Sequence, residues 1–268
     1  MNDPLIEIEK NYILPEKFSF SQVEAFTNCP LQYKYNFILR IPVLDKVNFI
    51  FGRVMHNTLR DFLACQLESN SIQPGLFADT DSKKKKPKFD ELLKIYESYW
   101  VNDGYDSKED REKYKKKGKK ILEDFYSDLE TNGWPQVMFI EKSFNVKIGD
   151  YMLKGAIDRV DRKGDCVEII DYKTGKAKEK LDFDAKRQLI LYQIAVEEVF
   201  GQKVSALTFH YLEDGSRQTF IAKDAEITKV KELVISQIEE IKKMSFPPKP
   251  GFLCAYCDFR GICQFRGK

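Results

Sequence analysis

Three consecutive segments in the middle of the chain have the composition and spacing of β-strands. Residues 137–148, 151–161 and 166–172 are rich in β-branched and aromatic residues, and turn residues separate them at Gly149-Asp150 and Lys163-Gly164. Tight turns of this kind join antiparallel neighbours in a sheet. The region therefore predicts a β-meander, which must bury one or both of its faces under other elements.

Helical patterns lie on both sides of this meander. Apolar residues recur at helical spacing over residues 89–100 and in the second half of residues 109–130. The other predicted elements are helices at 49–67, 183–200 and 224–244, strands at 204–212 and 217–221, and a loop at 69–87. The 268 residues are expected to form a single α/β domain. It would comprise a helical subregion at about 57–135, a core at about 136–245 and a tail at 246–268.

Two neighbouring strands of the meander each carry an aspartate near one end. Asp158 lies in the second strand and Asp171 in the third, and Lys173 shares a face with Asp171 because it is two residues further on. Aspartates on adjacent strands can bind a divalent cation, and a lysine beside it can orient a water molecule. The alternative is a set of surface charges on a hairpin. It is disfavoured because the strand that leads to Asp171 is apolar at Val167 and Ile169.

Other polar residues could complete such a site. Gln188 and Tyr192 are four apart on a predicted helix, so they share one face and could contact a scissile phosphate or an attacking water. The chain has two histidines, and a lone histidine such as His56 is more often structural. His210 lies in an apolar strand and is interpreted as structural. Glu141 is a possible further acidic participant.

The order of these motifs resembles the PD-(D/E)XK nucleases, specifically their RecB-like branch. The resemblance is carried by His56, the segment GAIDRVD at 155–161, Asp171-Tyr172-Lys173, and the pair Gln188 and Tyr192. It extends from about residue 19 to 263. The sequence departs from the superfamily pattern in having Asp171 where Glu is frequent, and Ile157 where the name-giving proline would stand; both are ordinary in this branch.

This resemblance implies a restriction-endonuclease-like core, with a mixed central sheet flanked by helices. It also implies that Mg²⁺ or Mn²⁺ is held by His56, Asp158, Asp171 and the carbonyl of Tyr172. Lys173 would be the catalytic lysine, and Gln188 and Tyr192 would form an accessory motif.

Four of the six cysteines stand at the two ends of the chain. Cys254, Cys257 and Cys263 lie in the tail, and Cys29 lies near the start, just before Pro30. Ser21 and Glu24 predict a capping box that begins a helix, which Pro30 should break at Cys29. Four thiolates could bind zinc or an iron–sulfur cluster, or the thiols could be free.

The placement of these cysteines resembles the iron–sulfur nucleases of the same branch, namely the AddB nuclease domain and the CRISPR-associated RecB-like exonucleases. In those proteins the cluster ties the tail to the first helix, which implies a [4Fe-4S] cluster and a C-terminal clasp here. Cys65 and Cys166 are expected to be small core residues.

The charge pattern and the missing motifs narrow the function. The net charge is +2, with basic runs at 83–86 and 113–120 that are either solvated faces or phosphate contacts.

The first ten residues lack a signal-like apolar stretch, and no segment is apolar enough to span a membrane, so a cytoplasmic location without membrane contact is expected. A nucleotide-driven motor is excluded because no G-x-x-x-x-G-K-[ST] motif is present.

The resulting hypothesis is a metal-dependent DNA nuclease, an exonuclease on single strands or duplex ends in recombination, repair or CRISPR adaptation. The alternative is a catalytically weak DNA-binding module of a helicase–nuclease or adaptation complex. DNA is the expected partner, with a helicase or an adaptation protein as a further candidate. The oligomeric state is not predicted.

Overall fold

The computed structural model describes residues 12–67, 86–177 and 179–266. Its helices are α1 (Phe20–Asn28), α2 (Pro30–Tyr33), α3 (Val47–Leu63), α4 (Phe89–Tyr99), α5 (Lys108–Asn132), α6 (Phe183–Phe200) and α7 (Asp224–Lys242). Its strands are β1 (Lys17–Ser19), β2 (Val137–Ile148), β3 (Tyr151–Lys163), β4 (Cys166–Lys173), β5 (Val204–Tyr211) and β6 (Arg217–Phe220). A π-helical turn covers Lys34–Ile38, and 3₁₀ turns cover Ala64–Gln66 and Phe252–Tyr256.

The predicted elements are confirmed with small differences in their bounds. The clearest difference is at the helix predicted for 49–67, which ends at Leu63 and continues as the 3₁₀ turn Ala64–Gln66. Cys65 lies on that turn and is exposed, so the prediction that it is a core residue is wrong. The predicted loop at 69–87 and the basic run at 83–86 fall largely on residues outside the described ones.

The N-terminal capping box forms two residues earlier than predicted. Ser19 is extended and caps α1, because its side chain accepts a hydrogen bond from the Gln22 amide at 3.2 Å. The Gln22 side chain accepts in turn from the Ser19 amide at 2.8 Å. Glutamine therefore has the role expected of Glu24. The predicted break is confirmed, since Cys29 is extended and Pro30 opens α2.

The strands form a mixed sheet, as the fold-class prediction required. β3 pairs antiparallel with β4, β4 pairs parallel with β5, and β5 pairs antiparallel with β6. Helix α6 connects the parallel pair, which is the usual crossover for parallel neighbours. β2 pairs with β3, and β1 runs parallel to β3. The turns that join the meander use Gly149 and Gly164 at φ +59° and +62°, where glycine is favoured.

The chain divides into two compact units by its internal contacts. The first unit comprises Met1–Leu44, Asn145–Gly155 and Lys223–Lys268. In it, α1 packs on α7, and the Thr27 hydroxyl donates to the Gln237 side chain at 3.4 Å. The ring of Phe246 stacks on Tyr33. The predicted organisation as a single domain stays a prediction.

The second unit comprises Asp45–Phe144 and Ala156–Ala222. The apolar faces of α3, α4 and α5 form one buried core with Ile170 and Tyr172 of β4. Because side chains alternate along a strand, Asp171 and Lys173 point to the opposite face, where Lys173 contacts Gln188 of α6. The sheet of this unit is therefore covered by helices on both faces. Among the described residues, none of the helices is both long and apolar enough to cross a membrane.

Candidate metal centre and active site

Three elements of the second unit bring together a set of metal-type ligands. His56 lies on α3, Glu141 on β2 and Asp158 on β3. Each offers one ligand atom, and these atoms all lie within 4.8 Å of one another. An imidazole nitrogen and two carboxylates are donors that Mn²⁺ and Mg²⁺ accept.

The backbone of Tyr172 holds two members of this group. Its amide donates to the Asp158 carboxylate at 2.9 Å, and its carbonyl accepts from His56 Nε2 at 3.0 Å. With Nε2 donating, Nδ1 carries a lone pair, and it faces Asp158 Oδ2 at 3.4 Å. In the neutral imidazole, a lone pair directed at a carboxylate is unfavourable unless a cation, either a proton or a metal ion, lies between them. The arrangement therefore fits a bound metal ion.

Glu141 completes the group through an unusual backbone conformation. Its φ is +43°, in the left-handed region that non-glycine residues rarely adopt within a strand. Such strain is concentrated at functional sites. The sequence named Glu141 only as a further acidic candidate and not as a ligand beside His56, because local sequence does not show where a strand is distorted.

The electrostatics of the two aspartates also fit a cation. Burial, and next the charge of Asp171, raise the pKa of Asp158 above its ordinary value. Burial likewise raises the pKa of Asp171, and the nearby Lys173 partly offsets that rise. Two buried carboxylates that repel each other are stabilised in their charged form by a metal ion.

Asp171 and Lys173 begin a second, connected set of contacts. Lys173 Nζ lies 2.6 Å from Asp171 Oδ2 and donates to Gln188 Oε1 at 3.1 Å. The Gln188 amide donates to the Tyr192 hydroxyl at 2.8 Å. The lysine is thus fixed from two sides, with about a third of its side chain exposed. It is positioned to present its charge to a ligand.

The structure thus groups the predicted residues in a way that the sequence did not show. His56, Asp158 and Glu141 form the compact group, whereas Asp171 pairs with Lys173. The Tyr172 carbonyl lies at the site, where His56 engages it. His210 is buried on β5, and burial lowers its pKa to about 3, so it is uncharged at neutral pH.

We expect Asp158→Asn to raise the melting temperature of the metal-free protein at pH 8. The pKa of Asp158 is raised above an unfolded value of about 3.9, so the charged carboxylate destabilises the folded state at neutral and alkaline pH. Asparagine keeps an oxygen for the Tyr172 amide and carries no charge. The gain should be complete above the raised folded pKa and should disappear below about pH 4. Thermal unfolding in EDTA across this pH range measures it.

The control for this prediction is Asp128→Asn, which removes an exposed ion pair with Arg217. Its effect should be small at every pH, because exposed pairs contribute little. Added Mn²⁺ should stabilise the wild type and the control but not Asp158→Asn. An Asp158→Asn variant less stable than the wild type at pH 8 in EDTA would contradict the burial argument.

Four cysteines come together in the first unit. Cys29, Cys254, Cys257 and Cys263 line one cavity of about 40 Å³ together with Tyr35. None of the six cysteines forms a disulfide. The Lys249 amide donates to Cys29 Sγ at 3.4 Å, and the Gly251 amide donates to Cys254 Sγ at 3.4 Å. Cysteines from both ends of the chain therefore share one small, partly buried space.

An α/β core with a group of imidazole and carboxylate ligands beside a fixed lysine is the arrangement of a divalent-metal site on a nuclease-type fold. A sequence profile of the PD-(D/E)XK nuclease superfamily matches residues 17–264. The match covers nearly the whole chain, which belongs to this superfamily. Among curated proteins, none matches the chain.

Two solved structures are similar to the chain at low sequence identity. A candidate exonuclease from Eubacterium rectale is 14% identical, with a TM-score of 0.53, and the alignment covers 94% of this chain and 90% of that chain. A protein named SSO0001 is 14% identical, with a TM-score of 0.43, and the alignment covers 98% of this chain and 93% of that chain. At this identity the similarity is one of fold.

Proposed function

We propose that the protein is a divalent-metal-dependent DNA nuclease of the RecB-like branch. The observation that carries the proposal is the group of His56, Glu141 and Asp158 next to the buried pair of Asp171 and Lys173. A lysine held beside two buried carboxylates and a group of metal-type ligands is an arrangement that suits metal-assisted phosphodiester hydrolysis. Membership in a nuclease superfamily supports the same conclusion.

Each residue has a distinct role in this proposal. His56, Glu141 and Asp158 hold Mg²⁺ or Mn²⁺, with Asp171 as a further oxygen donor, and the Tyr172 carbonyl orients His56 by accepting from its Nε2. The bound ion supplies Lewis-acid chemistry and lowers the pKa of a water molecule. Lys173, held by Asp171 and Gln188, stabilises the negative charge that develops on the phosphate. Tyr192 acts by fixing Gln188.

We further propose exonuclease activity on single strands or duplex ends. A fold shared with a candidate exonuclease supports this choice over internal cleavage. The test uses linear DNA labelled at either end, as single strand or duplex, with a circular substrate as control. Mn²⁺ or Mg²⁺ should allow loss of the linear label, and EDTA should prevent it. Cleavage of the circle would contradict the exonuclease assignment, and no cleavage of any DNA would favour a binding module.

We also propose that the four cysteines bind an iron–sulfur cluster rather than one zinc ion. A tetrahedral zinc site places its sulfurs about 3.8 Å apart, given zinc–sulfur bonds of about 2.3 Å. All four cysteines are among the described residues, and no three of their sulfurs lie within 4.8 Å of one another. The four cysteines line one cavity, and the amides that donate to Cys29 and Cys254 suit the thiolates of a bound cluster.

The basic run on α5 supplies a testable DNA contact. Four of its lysines pair with acids: Lys115 and Lys119 with Glu97, Lys117 with Glu213, and Lys120 with Asp124. Lys113 and Lys116 are exposed and have no acidic partner in the described part of the chain. They are three residues apart and share one helix face. These two lysines are the better candidates for phosphate contacts.

We expect Lys113→Gln with Lys116→Gln to reduce the salt dependence of DNA affinity. Each lost phosphate contact should lower the slope of log K against log salt by about 0.7 for a single strand. Binding is measured by fluorescence anisotropy in Ca²⁺ between 50 and 300 mM salt, conditions chosen to limit cleavage. Lys120→Gln is the matched control, because Lys120 pairs with Asp124. An unchanged slope in the double variant would show that this face does not contact DNA.

A further inference from the structure

A buried arginine lies beside the candidate metal centre, since Arg159 lines one small cavity together with His56, Glu141 and Asp158. Arg159 directly follows Asp158 on β3, so the two side chains point in opposite directions. Only 5% of Arg159 is exposed, and its Nη2 donates to the buried Asp161 carboxylate at 2.7 Å. Its Nη1 donates to the Tyr172 hydroxyl at 2.6 Å. The planar guanidinium thus joins an acid and a phenol in one fixed fork.

Tyr172 connects this fork to the metal centre. Its amide and carbonyl hold Asp158 and His56, and its hydroxyl is held by Arg159. Its ring packs edge-on against Phe125 in the core. One residue is therefore fixed at three points. A shift of its side chain would move the backbone atoms that orient two metal ligands.

The energetics also point to a role other than stability. Removing Arg159 and Asp161 from water is costly, and apolar residues of similar volume often stabilise a fold as well as a buried ion pair does. The pair does, however, make a short, directional bond to Tyr172. Bonds of this kind, made to the neighbours of metal ligands, commonly fix ligand orientation.

We propose that Arg159, oriented by Asp161, is a positioning residue that sets the geometry of the metal centre through Tyr172. This inference rests on the proposed function, because it requires that His56 and Asp158 bind a metal ion. It assigns a role to the arginine and second aspartate of the segment 155–161, neither of which lies in the compact ligand group.

The test is the affinity for Mn²⁺, measured by isothermal titration calorimetry without DNA. Tyr172→Phe removes the hydroxyl that Arg159 contacts, and Arg159→Lys keeps the charge but cannot form both bonds. A cavity of about 240 Å³ borders Arg159 and Asp161, so the smaller lysine needs no repacking. The matched control is Tyr96→Phe, which removes a buried hydroxyl that donates to the Lys115 carbonyl at 3.2 Å in the same unit.

We expect Tyr172→Phe and Arg159→Lys to bind Mn²⁺ about 10-fold more weakly than the wild type. Tyr96→Phe should bind Mn²⁺ within about twofold of the wild type. Its melting temperature should nevertheless fall by about as much as that of Tyr172→Phe, because each variant loses one buried hydrogen bond. Wild-type affinity in both Tyr172→Phe and Arg159→Lys would overturn the positioning role alone. No Mn²⁺ binding by the wild type would overturn the proposed function itself, and the positioning role with it.

Discussion

Lys173→Ala is expected to lower the single-turnover rate of DNA cleavage by about 10²–10³-fold, the usual effect of removing one group that stabilises transition-state charge. The Lys173 side chain joins Asp171 to Gln188, with Nζ at 2.6 Å from the Asp171 carboxylate and 3.1 Å from the Gln188 carbonyl oxygen. Its charge is fixed in place before substrate arrives, so no reorganisation is needed during the reaction. Rates are measured at saturating DNA and Mn²⁺, which separates chemistry from binding.

The controls for this prediction distinguish loss of chemistry from loss of fold. Lys176→Ala removes an exposed lysine three residues further on and should retain the wild-type rate. Alanine at 173 also leaves the buried Asp171 without its ion pair, so the variant should be less stable without metal. Lys173→Gln keeps a polar contact for Gln188 and should be equally slow. A wild-type cleavage rate in either Lys173 variant would show that the lysine has no role in the chemical step.

Cys257→Ser is expected to bleach the protein and to lower its melting temperature by about 10 °C. The tail has little core of its own: Phe252 is 81% exposed and Tyr256 is 73% exposed, while Phe259 is buried. In the proposed site, metal–thiolate bonds would supply much of the free energy that orders it. Each kcal/mol lost from the free energy of unfolding lowers the melting temperature of a chain of this size by about 2–4 °C, and losing one thiolate ligand should cost a few kcal/mol.

Visible absorbance, metal analysis and thermal unfolding of anaerobically purified protein measure this effect. Cys65→Ser is the matched control, because Cys65 is exposed and lies outside the cysteine-lined cavity. It should leave colour and stability unchanged. If the wild type were colourless and contained zinc, the four cysteines would be assigned as a zinc site instead of an iron–sulfur site. An unchanged spectrum and melting temperature in Cys257→Ser would contradict any metal at this position.

The elements of the fold were predictable because their signals are local. Between turn residues, the strands of the meander show either alternating polar and apolar residues or a continuous apolar run, and the helices repeat apolar residues at helical spacing. For this reason β2 and α6 begin and end where predicted. The capping box at the start of α1 was predicted two residues too late, because two similar sequence patterns compete there. Ser19 with Gln22 and Ser21 with Glu24 are both plausible capping boxes, and only the conformation of Ser19 distinguishes them.

The sequence by itself determined the superfamily and the residue types of the site, because the motifs containing Asp158, Asp171 and Lys173 lie within short segments. Only the tertiary structure decided how those residues are grouped. The left-handed backbone at Glu141 adds a carboxylate to His56 and Asp158, while Lys173 draws Asp171 into an ion pair. Arg159 contacts the Tyr172 hydroxyl from the neighbouring strand, on the same face of the sheet. These contacts join residues distant in sequence, and their geometry depends on how strands and helices pack rather than on any local pattern.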